Sequence, residues 1–314
     1  MDFSKLGDEQ RVLLEVELKP VQGTRFQPTG FPDIGAATYQ SSDGKQMLLV
    51  ESAQSMANRL EEACWDENKN TLVAPLTGLP FIMVNETKTG RMITNSILES
   101  HRINSPYILE SKDKSFFDKL KKELEVMETG RVDNKALAKT LMKYDPNSLL
   151  HGVFLAKKEL AGGRLRVPRA VSAFVEAEDV NVAASGGVKK DEVNPSGDAK
   201  KGFGHVPFAR DEYTGKLNAY FSIDLSQIKS YGLGKDAENL LITLALFKIR
   251  RMLEGGLRFR TACDLQAVGD LKVTKPSEFV VPPLNEFNAK MPEMIRKCKG
   301  MFAEPPVTVV EYSE

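Results

Sequence analysis

Apolar and polar residues alternate along residues 11–20. Val12, Leu14, Val16 and Leu18 fall on one side, and Arg11, Glu15, Glu17 and Lys19 on the other, with Leu13 the exception. A period of two predicts a half-buried strand. From Val21 to Gly35 glycine and proline recur too often for a regular element, so a structured loop is expected. Met47 to Val50 is a short apolar run read as a strand. The period then changes: Ala53, Met56, Ala57, Leu60 and Cys64 share one helical face, while Gln54 pairs with Asn58 and Ser55 with Arg59 at i,i+4 on the other. Ser52 stands where a helix N-cap belongs.

Residues 66–150 read as turns and short helices, with amphipathic stretches at 114–128 and 134–144 and a turn at 145–148. Residues 151–156 and 171–177 read as strands. Residues 181–215 are rich in Gly, Lys, Asp and Pro and poor in apolar residues. They cannot build a core, and a long hairpin-like excursion is expected there. Residues 217–225 alternate again and predict a strand. Ala237 to Glu254 is the strongest helix, stopped by Gly255-Gly256, and the alternation from Leu257 to Leu265 predicts one further strand. Residues 284–302 form a weaker helix, and Val307 to Val310 a short strand. Stripped of insertions, the order is βαββαβ, the plan of ferredoxin-like and RNA-recognition-motif domains, so the fold class is α+β.

The chain has 314 residues, enough for one elaborated domain or two small ones. Lys plus Arg and Asp plus Glu are both 43, so a polyanion site must come from local sorting of charge. The N-terminus has no apolar core that would serve as a secretory signal, and the longest apolar run, Leu240 to Phe247, is far short of a membrane span. Cys64, Cys263 and Cys298 lie far apart, without the spacing of a zinc site or a disulfide framework. A cytoplasmic protein without membrane contact is the natural reading.

Candidate acid–base groups are few. His101, His151 and His205 have no partner at metal-ligand spacing, and Asp33 stands alone in a loop. No cofactor or metal is expected. The basic residues are better sorted. From Lys157 to Arg169, five cations (Lys157, Lys158, Arg164, Arg166 and Arg169) stand against Glu159, with Gly162-Gly163 between them. Glycines let a backbone approach phosphate, and the spacing of Arg164 and Arg166 projects both from one face of an extended segment. Arg258 and Arg260 share that spacing. Lys189-Lys190 and Phe203 put cations and an aromatic on the long excursion. Such a pattern suits single-stranded nucleic acid, with cations along the phosphates and aromatics on the bases.

Several blocks carry a family resemblance. They are Leu18-Lys19-Pro20-Val21-Gln22-Gly23, the run from Phe26 to Asp33, the run from Leu49 to Leu60, the run from Asp145 to Phe154, the run from Ala161 to Ala170, and the run from Gly256 to Leu265. Over roughly residues 10–270 the chain resembles the backbone subunit of the type I-G (formerly I-U) CRISPR effector, or Cascade, complex, in the RAMP superfamily. The resemblance implies a ferredoxin-like, RRM-type palm from residues 1–50 and 150–270. It implies the first palm helix and a helical insertion in 51–149, a β-hairpin thumb in 181–215 and a C-terminal extension in 271–314.

It also implies a non-catalytic role in antiviral defence: copies stack head to tail along a CRISPR RNA, and the thumb of one copy kinks the RNA held by the next. The implied partners are CRISPR RNA, the target DNA strand paired to it, other copies of the chain and other effector subunits. Related backbones place a Ser-x-Gln-Ser start and following basic residues of the first helix on RNA phosphates. Ser52, Gln54 and Ser55 match that start, and Asn58 and Arg59 stand where a basic pair is usual. The other RNA-binding candidates are Arg25, Lys157, Lys158, Gly162, Gly163, Arg164, Arg166, Arg169, Lys189, Lys190, Phe203, Arg258 and Arg260. The alternative is a RAMP-type endoribonuclease using His101, His205 or Asp33.

Overall fold

The computed structural model describes residues 3–31 and 35–313. Asp33, one of the candidate acid–base residues, lies outside the described residues. In chain order the main strands begin with β1 (Arg11–Pro20), β2 (Thr38–Gln40) and β3 (Gln46–Glu51). Next come β4 (Phe81–Glu86), β5 (Met92–Asn95), β6 (Val153–Leu155) and β7 (Leu165–Val167). They are followed by β8 (Val171–Lys189), β9 (Val206–Asp224), β10 (Leu257–Arg260), β11 (Cys263–Lys275) and β12 (Val307–Tyr312). The helices are α1 (Ala53–Glu62), α2 (Pro106–Leu109), α3 (Ser115–Leu124), α4 (Asn134–Tyr144), α5 (Asn147–His151), α6 (Leu225–Ser230), α7 (Lys235–Glu254) and α8 (Leu284–Cys298).

Seven strands form one sheet in the order β10-β11-β1-β9-β8-β3-β2, with antiparallel neighbours. The alternation in β1 does what a period of two requires: Val12, Leu14, Val16 and Leu18 are at most 3% exposed. They join Val175, Phe221 and Ile223 and the buried faces of α1 and α7 in the core. The expected α+β class is borne out. Within the sheet β11, β1, β9 and β8 lie side by side.

Strands β8 and β9 each run for 19 residues, and their pairing continues far past the sheet, to Lys189 opposite Val206. A bulge between Glu178 and Asn181 marks where the pair leaves the sheet. A Cβ at Gly215 would lie 2.8 Å from the Glu178 carbonyl oxygen, so only glycine fits that bend. The excursion expected from composition is thus a two-stranded ribbon, on the order of 30 Å long at about 3.3 Å per residue. At its tip Asp191 accepts the Val193, Asn194 and Gly204 amides, and His205 Nδ1 accepts the Asp191 amide.

Three expectations need correction. Residues 66–150 are not only turns and helices, because β4 pairs antiparallel with β5 and parallel with β12. Phe81-Ile82-Met83-Val84 is a continuous apolar run buried from both sides, so it shows no alternation. Residues 257–265 are not one strand: a turn at Thr261-Ala262 separates β10 from β11, and Leu257 faces Leu265. His151 does not open a strand; with Asn147 and Ser148 it belongs to α5.

A buried polar network joins α1 and α7 to Arg102 and to α5. Glu61 of α1 accepts Arg102 Nε and Nη2 at 2.7 and 2.8 Å, and also Asn147 Nδ2. Lys248 of α7 donates to Asn147 Oδ1 and lies 2.9 Å from His151 Nε2. Burial and the neighbouring Lys248 charge push the His151 pKa well down, so the ring is neutral and accepts that proton. Removing one member of a buried charge pair leaves the other uncompensated. Glu61→Ala is therefore expected to lower the unfolding free energy by about 3–5 kcal/mol in denaturant titrations; a loss under about 1 kcal/mol would contradict the pairing.

Asp145, fully buried, has its pKa raised by burial from 3.8 to about 7. A raised carboxyl pKa gives stability that is present below 3.8 and is lost as pH climbs to about 7. The stability gap between Asp145→Asn and the parent is expected to move in the variant's favour across that window. A gap that does not change with pH would refute it.

Candidate nucleic-acid interface

Helix α1 begins where β3 ends. Ser52 caps it, its Oγ accepting the Ser55 amide at 3.2 Å. On the exposed side Gln54 donates to Asn58 Oδ1 at 2.9 Å. Arg169, three residues after the Gly-Gly-Arg-Leu-Arg run, donates to the Ala53 carbonyl at 3.0 Å and to Gln54 Oε1. The first turn of α1 is thus flanked by a guanidinium on one side.

A second arginine system flanks it on the other. Glu51, the last residue of β3, is 0% exposed. Its carboxylate accepts Ser55 Oγ and Arg260 Nη2, with Arg59 Nε 3.5 Å away. Arg260 also donates to the Gln27 carbonyl at 2.7 Å and to Thr29 Oγ1 at 2.6 Å. Arg59 donates to the Phe259 carbonyl at 2.8 Å and lies over the Phe259 ring, 4.6 Å from its centroid. Burial lowers the pKa of Arg59, Arg169 and Arg260, yet guanidinium stays charged at any ordinary pH. The two arginines open onto different clefts. Arg59 lines one of about 330 Å³ with Arg251 and Arg258. Arg260 lines one of about 560 Å³ with Thr29, Arg210 and Tyr213.

The structure therefore brings Ser52, Gln54, Ser55, Asn58, Arg59, Arg169 and Arg260 together, with Arg258 in the neighbouring cleft. It places the other candidates elsewhere. Arg164 is not in an extended segment with Arg166. It follows the turn made by Gly162 and Gly163, and its guanidinium donates to the Ala161, Gly130 and Met127 carbonyls at 3.2, 2.9 and 2.6 Å. A Cβ on Gly163 would lie 2.6 Å from the Ala156 carbonyl oxygen at positive φ, so this glycine serves the turn. Lys157 pairs with Glu110. Arg25 pairs with Glu212 at 3.5 Å near the ribbon base, and Glu212 also takes Arg210. Lys189, Lys190 and Phe203 sit exposed at the ribbon's far end. Lys158, Arg166, Lys189, Lys190 and Arg258 make no ion pair or side-chain hydrogen bond among the described residues.

Sequence reasoning passed over Glu51, Thr29, Arg210 and Arg251. Glu51 directly precedes the cap, and that adjacency was the available signal. His101 is exposed, His151 is spent in the buried network and His205 in the ribbon tip. Among the described residues no group of three His, Cys, Asp or Glu side chains is placed to hold a metal ion, and no helix is long and apolar enough to cross a membrane.

The sequence profile of the family described as CRISPR-associated protein GSU0053 matches residues 12–182, more than half of the chain, and the chain belongs to that family. The CRISPR-associated family expected from the sequence blocks is thereby borne out. No curated protein matches. Solved structures similar to this chain include a chain of a "CRISPR RNA-guided surveillance complex, pre-nicking", at 14% identity over 91% of this chain and 89% of that one, with a TM-score of 0.40. Another is Csc2 of Thermofilum pendens, at 10% identity over 94% and 79%, with a TM-score of 0.33.

Replacing an N-cap serine by alanine typically costs about 1 kcal/mol. Ser52→Ala is expected to lower stability by that amount in thermal or denaturant unfolding. No loss would show that the cap is not what starts α1.

Proposed function

We propose that this chain is a non-catalytic backbone subunit of a cytoplasmic type I CRISPR effector complex. It holds the guide RNA by its ribose-phosphate chain, without regard to sequence, and copies of it stack along that RNA. The observation that carries this reading is membership of a CRISPR-associated family. In this reading the seven-stranded sheet with α1 and α7 is the ferredoxin-like, RRM-type palm, the β8–β9 ribbon is the thumb, and the segment between α1 and β6 is the insertion. The guide would pass the first turn of α1. There Gln54, Asn58, Arg59 and Arg169 offer hydrogen bonds and charge, and Arg166 and Arg258 extend the cationic path on either side.

A subunit that presents a guide must leave base edges free for the target DNA strand, so contacts to phosphate and sugar are the ones it can use. A chain with no net charge suits that task when copies pack against one another. Positive charge is then needed only along the RNA, and mixed charge on the remaining faces lets copies complement each other. A head-to-tail contact that does not close makes an open filament, to which other effector subunits would add.

Purified protein is expected to carry RNA, seen as excess absorbance at 260 nm. Reversing both free arginines, Arg166→Glu with Arg258→Glu, should weaken binding about equally for RNAs of different sequence. The slope of log affinity against log salt should become shallower by roughly 1.4, at about 0.7 per phosphate. Unchanged affinity in a folded double variant would refute this placement of the path.

A further inference from the structure

The Arg59–Glu51–Arg260 cluster does more than fill space between β3, α1 and β10. A carboxylate with no exposed surface is costly to bury unless it is paired. An apolar or neutral residue at this position would leave the two arginines free of it. The strand instead ends in Glu51, which sets one negative charge against two positive ones.

We infer that Glu51 is a positioning residue that limits how much of the arginine charge at the first turn of α1 an RNA phosphate can use. The inference rests on the RNA-binding reading and adds a charge-setting part to it. Glu51 and the loop oxygens of Gln27 and Thr29 occupy the Arg260 guanidinium from three directions. Arg260 is thereby an anchor whose charge is cancelled. Arg59 lies farther from the carboxylate, at 3.5 Å, and its Nε has no hydrogen-bond acceptor although it is buried. Its side chain keeps 24% of its surface exposed. Within this cluster of three, one net positive charge therefore remains, and Arg59 presents it to a cleft that Glu62, Arg251 and Arg258 also line. Such a site grips each phosphate moderately. That suits a subunit that must settle into register along a long RNA rather than lock where it first lands, since strong non-specific attraction grows with every cation added.

The test separates charge from shape. Glu51→Gln keeps the side-chain size and removes the charge; Glu51→Asp keeps the charge and disturbs the packing. Affinity for single-stranded RNA of mixed sequence is measured against salt for the parent and both variants. Glu51→Gln is expected to bind several-fold tighter at low salt, with a slope steeper by about 0.7, one further phosphate neutralised. Glu51→Asp should keep the parental slope even where its melting temperature falls.

An unchanged or shallower slope in folded Glu51→Gln would overturn the inference. If that variant does not fold, Arg260→Gln carries the same test from the opposite side. Glu51 then faces Arg59 alone, and the slope should become shallower by about 0.7; an unchanged slope overturns the inference. A parent protein that binds no RNA would instead sink the RNA-binding reading itself.

Discussion

One buried carboxylate organises the junction of β3, α1 and β10. Glu51 ends a strand of the main sheet, is 0% exposed, and gathers Ser55 and Arg59 from α1 with Arg260 from β10. An unpaired charge at that depth would be prohibitive, so the pairing is obligatory. Arg260 carries the constraint outward to Gln27 and Thr29, so the loop after β1 is fixed to the same point. Backbone bonds finish the junction: Phe26 and Tyr213 exchange both their amide hydrogen bonds, and the Gln27 amide donates to Ala262. The start of α1, the ribbon base and the β10–β11 turn are tied together there by these bonds.

The cations of this chain fall into two physical classes. Arg260, Arg164, Arg251 and Arg102 spend their hydrogen bonds on carbonyls or carboxylates of the protein and work as fasteners. Lys158, Arg166, Lys189, Lys190 and Arg258 have no such partner among the described residues. A count of basic residues per segment cannot separate the two, because a guanidinium pinned by three carbonyls looks the same in sequence as one in solvent. The useful charge is therefore smaller and more localised than the block from Lys157 to Arg169 suggests. This is in keeping with a chain that carries 43 basic and 43 acidic residues.

Local patterns were legible where local physics decides them. The alternation of β1 and β9, the amphipathic face and Ser52 cap of α1, the Gly-Gly stop after α7 and the core-poor composition of the ribbon all read correctly. Strand β4 did not, because it is buried on both sides and its parallel partner β12 begins more than two hundred residues later. Arg164 was misplaced because a spacing of two mimics alternation, whereas Gly162 and Gly163 turn the chain just before it. The convergence on Glu51 is tertiary: its three partners come from the same helix and from a strand 209 residues away. Only the serine-rich start of α1 hinted that polar groups gather there.

The central claim is that this surface holds a single-stranded RNA by its backbone, whatever its bases. Its most direct test is the affinity of the intact chain for several single-stranded RNAs of unrelated sequence, each measured over a range of salt concentrations. The account predicts affinities that agree within a few-fold and log–log salt plots that are linear and parallel. A strong preference for one sequence, or binding indifferent to salt, would contradict it.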